Sequence, residues 1–237
     1  MTAPRKIGVI GGMGPEATVL LMQRIIQAVP ATDDSDHIPM IVDNNPQVPS
    51  RIDALIHGTG ADPGPVIADM ARRLQDCGAQ ALAMPCNTAH HYAPAIRAAV
   101  TVPFLDMVGL SASRAAELSP PGGKIGILAS PAVRSVGLFD PALAAVGRRA
   151  CYPENAADML AAIQDIKRNG ASDAARGVLA QAARDLHRQG AACNLVACSE
   201  FSLIAGAAAD QAPALDTLDV LVAEIVRFAM PDPVDRT

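Results

Sequence analysis

The sequence predicts an α/β protein of two pseudo-symmetric halves, each a parallel sheet flanked by helices, with a functional cleft between them. Three observations lead there. Short apolar runs alternate with helix-length segments along the whole chain, the pattern of a parallel sheet covered on both faces. Lys6-Ile-Gly-Val-Ile10 reappears as Lys124-Ile-Gly-Ile-Leu128, each entering a loop and a helix, which points to an internal duplication. An apolar run also ends in a cysteine twice, once per half, at Cys86 and at Cys198. The expected division is 1–104 with a returning C-terminal helix from 208–237, and 105–207.

The elements follow in order. Lys6–Ile10 is a short apolar strand, and Gly11-Gly-Met-Gly-Pro-Glu16 is a glycine turn with Met13 inside it. A helix over 17–28 follows, with Leu20, Leu21, Ile25 and Ile26 at helical spacing. The turn is neither a Walker loop nor the dinucleotide fingerprint, so it reads as a ligand-facing nest of backbone amides or as a plain tight turn. The next strand spans 37–42 and opens into Asp43-Asn-Asn-Pro-Gln-Val-Pro-Ser-Arg51, a polar loop punctuated by proline. Arg51 stands where that loop meets a helical segment. Its fork of donors suits a carboxylate, with a surface arginine as the bland alternative.

A helix over about 66–77 ends at Gly78, with Cys77 read as a small buried residue. The strand 80–84 then delivers Cys86 to a segment that reads as a helix running toward Val100. A strand over 102–108 and a helix toward Leu118 precede the breaker cluster Ser119-Pro-Pro-Gly-Gly123. After the strand 124–128, helices are expected over 158–167 and 172–189, with Lys167 in the last turn of the first, where a cation suits the dipole. Cys151 and Cys193 read as core. A closing helix covers 219–230, and 231–237 reads as a frayed tail.

Composition narrows the functions. Net charge is −5, from 19 basic and 24 acidic residues, with no basic block. Nucleic acid and extensive membrane-surface binding are therefore not expected. The N-terminus lacks the apolar region of a signal peptide, and no apolar run is long enough to span a bilayer, so a cytosolic protein is expected. Five scattered cysteines without a CxxC pair suggest neither a disulfide framework nor a structural metal.

The chemistry rests on the two cysteines. A strand that delivers a thiol to a helix N-terminus places it near backbone N–H groups that favour a thiolate. Facing each other across a cleft, Cys86 and Cys198 could act as base and acid on opposite faces of a carbon acid, with Asn87, Thr88 and Ser199 available to hold a carboxylate. One cysteine could instead be a nucleophile with His90 or His91 as base. A binding protein with inert buried thiols is the third reading.

On Gly11-Gly-Met-Gly-Pro-Glu-Ala-Thr18, Asn44-Asn-Pro-Gln-Val-Pro-Ser-Arg51, Met84-Pro-Cys-Asn-Thr-Ala-His90 and Ala197-Cys-Ser-Glu200, the chain resembles the aspartate/glutamate racemase family, in its aspartate racemase-like branch. The resemblance implies a cofactor-independent enzyme, with an amino-acid or dicarboxylate substrate between two α/β units, and a homodimer. It implies that Cys86 and Cys198 are the acid/base pair. It further implies that Asn87, Thr88 and the Ala89 backbone bind the substrate carboxylate, that Arg51 grips the distal carboxylate, and that Lys167, Met13 and Ser199 complete the pocket. An isomerase or decarboxylase on the same scaffold is the enzyme alternative. The sequence departs from the family at Ala197 and Ser199, where glycine and threonine are usual, and at Val133 and Arg134. If that last segment lines the pocket, side-chain specificity is expected to change.

Overall fold

A computed structural model describes residues 3–230. Two four-stranded, all-parallel sheets are built to one plan. The first contains β1 (Ile7–Gly11), β2 (Met40–Asn44), β3 (Ala81–Ala83) and β4 (Phe104–Leu105), in the order β2-β1-β3-β4. The second contains β5 (Lys124–Leu128), β6 (Arg149–Cys151), β7 (Ala191–Val196) and β8 (Ala214–Asp216), in the order β6-β5-β7-β8. The duplication suggested by the two Lys-Ile-Gly runs is thus present strand for strand.

The helices are α1 (Pro15–Ala28), α2 (Gly64–Asp76), α3 (Ala93–Ala99), α4 (Met107–Glu117), α5 (Pro131–Ser135), α6 (Asp140–Ala145), α7 (Ala156–Asn169), α8 (Asp173–Arg188), α9 (Gly206–Ala209) and α10 (Thr217–Ala229). Side chains alternate across each strand, so each sheet feeds two cores. In β1, Ile7 and Val9 pack under α1 and α10, whereas Ile10 and the β3 residue Leu82 pack under α2. In the second sheet, Ile125, Ile127 and Leu195 pack with Val108, Ala112 and Ala115 of α4. On the other side Leu128 and Val196 join α7 and α8. The connection thus crosses between the sheets twice: α4 leaves the first sheet to cover the second, and α10 leaves the second to cover the first.

Several sequence expectations shift. The expected helix after Cys86 is a 3-10 turn, Thr88–Tyr92, followed by α3. The strand expected over 102–108 is reduced to Phe104–Leu105, because the Asp106 side chain accepts from the Val108 and Gly109 N–H groups and starts α4 there. Strand β8 was not expected. It pairs with β7 from Asn194↔Ala214 to Val196↔Asp216, so the chain returns to the first half after Asp216 rather than at 208. Cys77 is exposed rather than buried, since α2 ends at Asp76 and Gly78, at φ +90°, turns the chain away. Cys193 is buried as read, and Cys151 is half-buried. The tail expected over 231–237 lies outside the described residues.

Candidate active site

The cysteine loops leave matching places in the two sheets. Cys86 follows β3 after Met84 and Pro85, and Cys198 follows β7 after Ala197. The neighbouring strand ends match too. Pro103-Phe-Leu-Asp106 and Pro213-Ala-Leu-Asp216 occupy equivalent positions, and the carbonyls of Pro103 and Pro213 each accept a backbone bond of 2.8 Å, from Leu82 and Asn194. That repeated Pro-x-Leu-Asp was the available sign of β8.

Both cysteines line one cleft of about 330 Å³ between the halves, together with Met13, Arg51, Thr88 and Lys167. Gly12 makes the Met13 approach possible. Its φ is +90°, and a Cβ there would fall 2.3 Å from the backbone carbon of Asn45. Arg51 anchors Nη1 on the carbonyls of Val48 and Pro49, at 3.2 and 3.0 Å. Thr88 Oγ1 lies 3.2 Å from Ser130 Oγ across the cleft. Asn87, Ala89 and Ser199 are buried, with the Ala89 N–H facing the Cys86 sulfur and Asn87 giving its Nδ2 to Thr217 Oγ1 at 3.0 Å. Sequence reasoning missed the cleft residues Asp53, His57 and Gln164. Asp53 and His57 bound a π-helical turn, Asp53–His57, that no periodicity marks.

The two thiols differ in their strongest charged neighbour, Arg51 for Cys86 and Glu200 for Cys198, and the Glu200–Lys167 pair acts on Cys86 more weakly with opposing signs. Burial pushes the Cys86 thiol up, while the Arg51 guanidinium and the Ala89 N–H pull it back toward the thiolate. The Cys198 thiol stands well above the usual thiol range. Burial contributes most, and the Glu200 carboxylate adds to it as a like charge and as acceptor of the S–H bond, with Sγ to Oε2 at 3.1 Å. Lys167 Nζ holds the other oxygen, Oε1, at 3.3 Å. Neither cysteine heads an α-helix. The N–H groups of Glu200 and Phe201 lower the Cys198 value, as expected for the start of a helical turn, but dryness outweighs them. Replacing Glu200 by Gln removes the like charge and leaves only a neutral, weaker acceptor for the S–H, so alkylation of Cys198 by iodoacetamide at pH 8 is expected to accelerate about tenfold. Peptide mass spectrometry reads this site by site. An unchanged Cys198 rate in Glu200→Gln would mean that the carboxylate does not govern the thiol.

His90 is not a base for Cys86. It is buried, its Nδ1 lies 2.8 Å from the Cys86 carbonyl, and its Nε2 accepts from the Met107 N–H at 3.2 Å. Both ring nitrogens are spent on backbone, and burial lowers its pKa. His91 is exposed and lines a separate hollow with Tyr92. Val133 is fully buried in the second core. Arg134 lies over the Tyr152 ring, at 5.7 Å from its centre. Neither lines the cleft, so the expected change of specificity through them falls away; Ser130 is the residue of that segment that does. Among the described residues no cluster of His, Cys, Asp or Glu could hold a metal ion, and no helix is long and apolar enough to cross a membrane.

Comparison with known proteins agrees with this fold. The chain is 26% identical to the aspartate racemase of Picrophilus torridus, with a TM-score of 0.84 over 95% of this chain and 94% of that one. An aspartate racemase homologue from Pyrococcus horikoshii OT3 shares the fold, with 16% identity and a TM-score of 0.72 over 95% and 99% of the two chains. The broad specificity amino-acid racemase RacX of Bacillus subtilis (strain 168) is 33% identical over 106 residues, 43% of this chain and 45% of that protein. The match thus spans less than half the length of that relative. The family model for Asp/Glu/Hydantoin racemase matches residues 10–225, and by that match the chain belongs to the Asp/Glu/Hydantoin racemase family.

Proposed function

We propose that the protein interconverts the enantiomers of an acidic amino acid, aspartate first and glutamate second, with Cys86 and Cys198 as paired base and acid. The observation that carries this reading is the pairing of two thiols, from equivalent loops of two duplicated sheets, in one cleft with a cation beside one and an anion beside the other. Racemisation requires a base and an acid on opposite sides of the α-carbon in opposite protonation states. Cys86 beside Arg51 is the thiol that ionises first, and Cys198, bonded to Glu200, is the one that keeps its proton.

In the forward step the Cys86 thiolate removes the α-proton. The C–H electron pair passes into the α-carbon and its carboxylate, and the Cys198 S–H delivers a proton to the opposite face. The enzyme is left with a Cys86 thiol and a Cys198 thiolate, ready for the opposite enantiomer or for reset by solvent. Arg51 grips the distal carboxylate. Thr88, with Ser130 facing it across the cleft, holds the α-carboxylate with support from Asn87, Ala89 and Ser199, and Met13 closes the apolar side. Lys167 pairs with Glu200, so a substrate bound by Lys167 shares it with that carboxylate. A cytosolic homodimer is part of the same proposal. The breadth in the name of the Bacillus subtilis relative is reason to test neutral amino acids as well.

The test is α-proton exchange in D2O, followed by NMR, with each enantiomer of aspartate, glutamate and alanine. Exchange with inversion on a dicarboxylic substrate is the expected result. No exchange with any of them, from reduced and folded protein, would overturn the reading.

A further inference from the structure

Inversion by two thiols needs their separation to be fixed, yet the two cysteine loops belong to different sheets. Thr217, the first residue of α10, touches both. Its Oγ1 accepts from Nδ2 of Asn87, the residue after Cys86, at 3.0 Å. The same oxygen donates to the carbonyl of Val196, two residues before Cys198, at 3.0 Å. Thr217 has one hydroxyl proton and spends it on Val196, so the Asn87 atom that faces it is the amide donor. Thr217 is fully buried and Asn87 nearly so, which keeps water from substituting for either bond.

The link is held from behind. Asp216 accepts from the Leu218 N–H at 2.9 Å and from Ser202 Oγ at 2.7 Å, and Ser202 in turn donates its N–H to the Cys198 carbonyl at 3.1 Å. Arg24, from α1 of the first half, bonds the other oxygen of Asp216 at 2.6 Å and the Ser202 carbonyl at 2.7 Å. Asp216 and Arg24 therefore fix the backbone from which Thr217 projects.

We propose that Thr217 is a positioning residue for racemisation, its hydroxyl setting the spacing of Cys86 and Cys198 by joining their loops through Asn87 and Val196. This rests on the two-thiol reading above. With correct spacing, the carbanion left when one sulfur takes the α-proton is quenched by the other sulfur, and the product is inverted. With slack spacing, the first sulfur exchanges its proton with solvent and hands a solvent hydrogen back to the same face. Exchange then appears in recovered substrate without inversion.

Two measurements test this on the full chain. The first is the ratio of deuterium in recovered substrate to deuterium in inverted product at early times in D2O. The second is the yield of an intramolecular Cys86–Cys198 crosslink with dibromobimane, identified by peptide mass spectrometry. Thr217→Val, which keeps the shape and removes the hydroxyl, is expected to raise the ratio, lower the crosslink yield and cut kcat by about 100-fold with little change in KM. Thr217→Ser is expected to restore both readouts. Lower activity with the ratio and crosslink unchanged would mean that the hydroxyl only stabilises the fold, and would overturn the proposal. If Thr217→Val does not fold, Asn87→Ala breaks the same link from its other end. Should the unmodified protein exchange no α-proton at all, the racemase reading fails, while the crosslink comparison still decides whether Thr217 sets the spacing.

Discussion

Racemisation is expected to fall by about 10³-fold or more in Cys86→Ser and in Cys198→Ser, because an alcohol neither ionises nor donates as a thiol does and each cysteine serves one face of the α-carbon. The two variants are not expected to fail in the same way. Each keeps one thiol, and that thiol still reaches the α-proton of one enantiomer. Cys198→Ser retains Cys86 and is expected to wash solvent deuterium into one enantiomer without inverting it. Cys86→Ser, left with the more tightly protonated thiol, is expected to act on the other enantiomer and only at higher pH. Exchange monitored by NMR and inversion monitored by chiral chromatography separate these outcomes. Substantial inversion in both variants would remove the two-thiol mechanism altogether.

The second large effect concerns Arg51. Its loss is expected to lower kcat/KM for aspartate about 100-fold more than for alanine, since only the dicarboxylic substrate loses a charged, forked contact. A smaller penalty is shared by all substrates. Arg51 lowers the Cys86 pKa, so Arg51→Ala raises it, less thiolate is present at a given pH, and the rising limb of the pH–rate profile moves to higher pH for every amino acid. Arg51→Lys keeps the charge and is expected to undo most of the pH displacement but less of the substrate discrimination. Equal losses on aspartate and alanine would confine Arg51 to its electrostatic effect on the thiol.

How far such a site can be read from sequence depends on what marks each part. The strand Lys124–Leu128 was legible to the residue, because a buried central strand is a continuous apolar run with breakers at its start. Cys86 and Cys198 were legible because each terminates such a run. β8 was not, since three residues carry no periodicity and their place is fixed by β7 alongside. Val133 stands out as a departure from the family pattern in a segment that could line the pocket, but α5 turns it inward to Phe139 and Ile127. Asn87 reads as a substrate ligand because it follows Cys86, and the sequence does not show that its amide also bonds a threonine 130 residues away. The partner of Cys198 was within reach. Glu200 lies two residues on and the carboxylate bonds the thiol directly, although the sequence does not indicate that Lys167 would hold it there.

The exchange of α4 and α10 between the sheets bears on where such a protein can come from. Each half hands its last helix to the other, and the two exchanged helices pack against each other where the halves meet. A single half on its own would expose the apolar face that the borrowed helix covers and would leave its own last helix without a seat. Such an ancestor could bury its core only by trading that helix with a second copy. The smallest unit that buries both cores is then the reciprocal pair of halves.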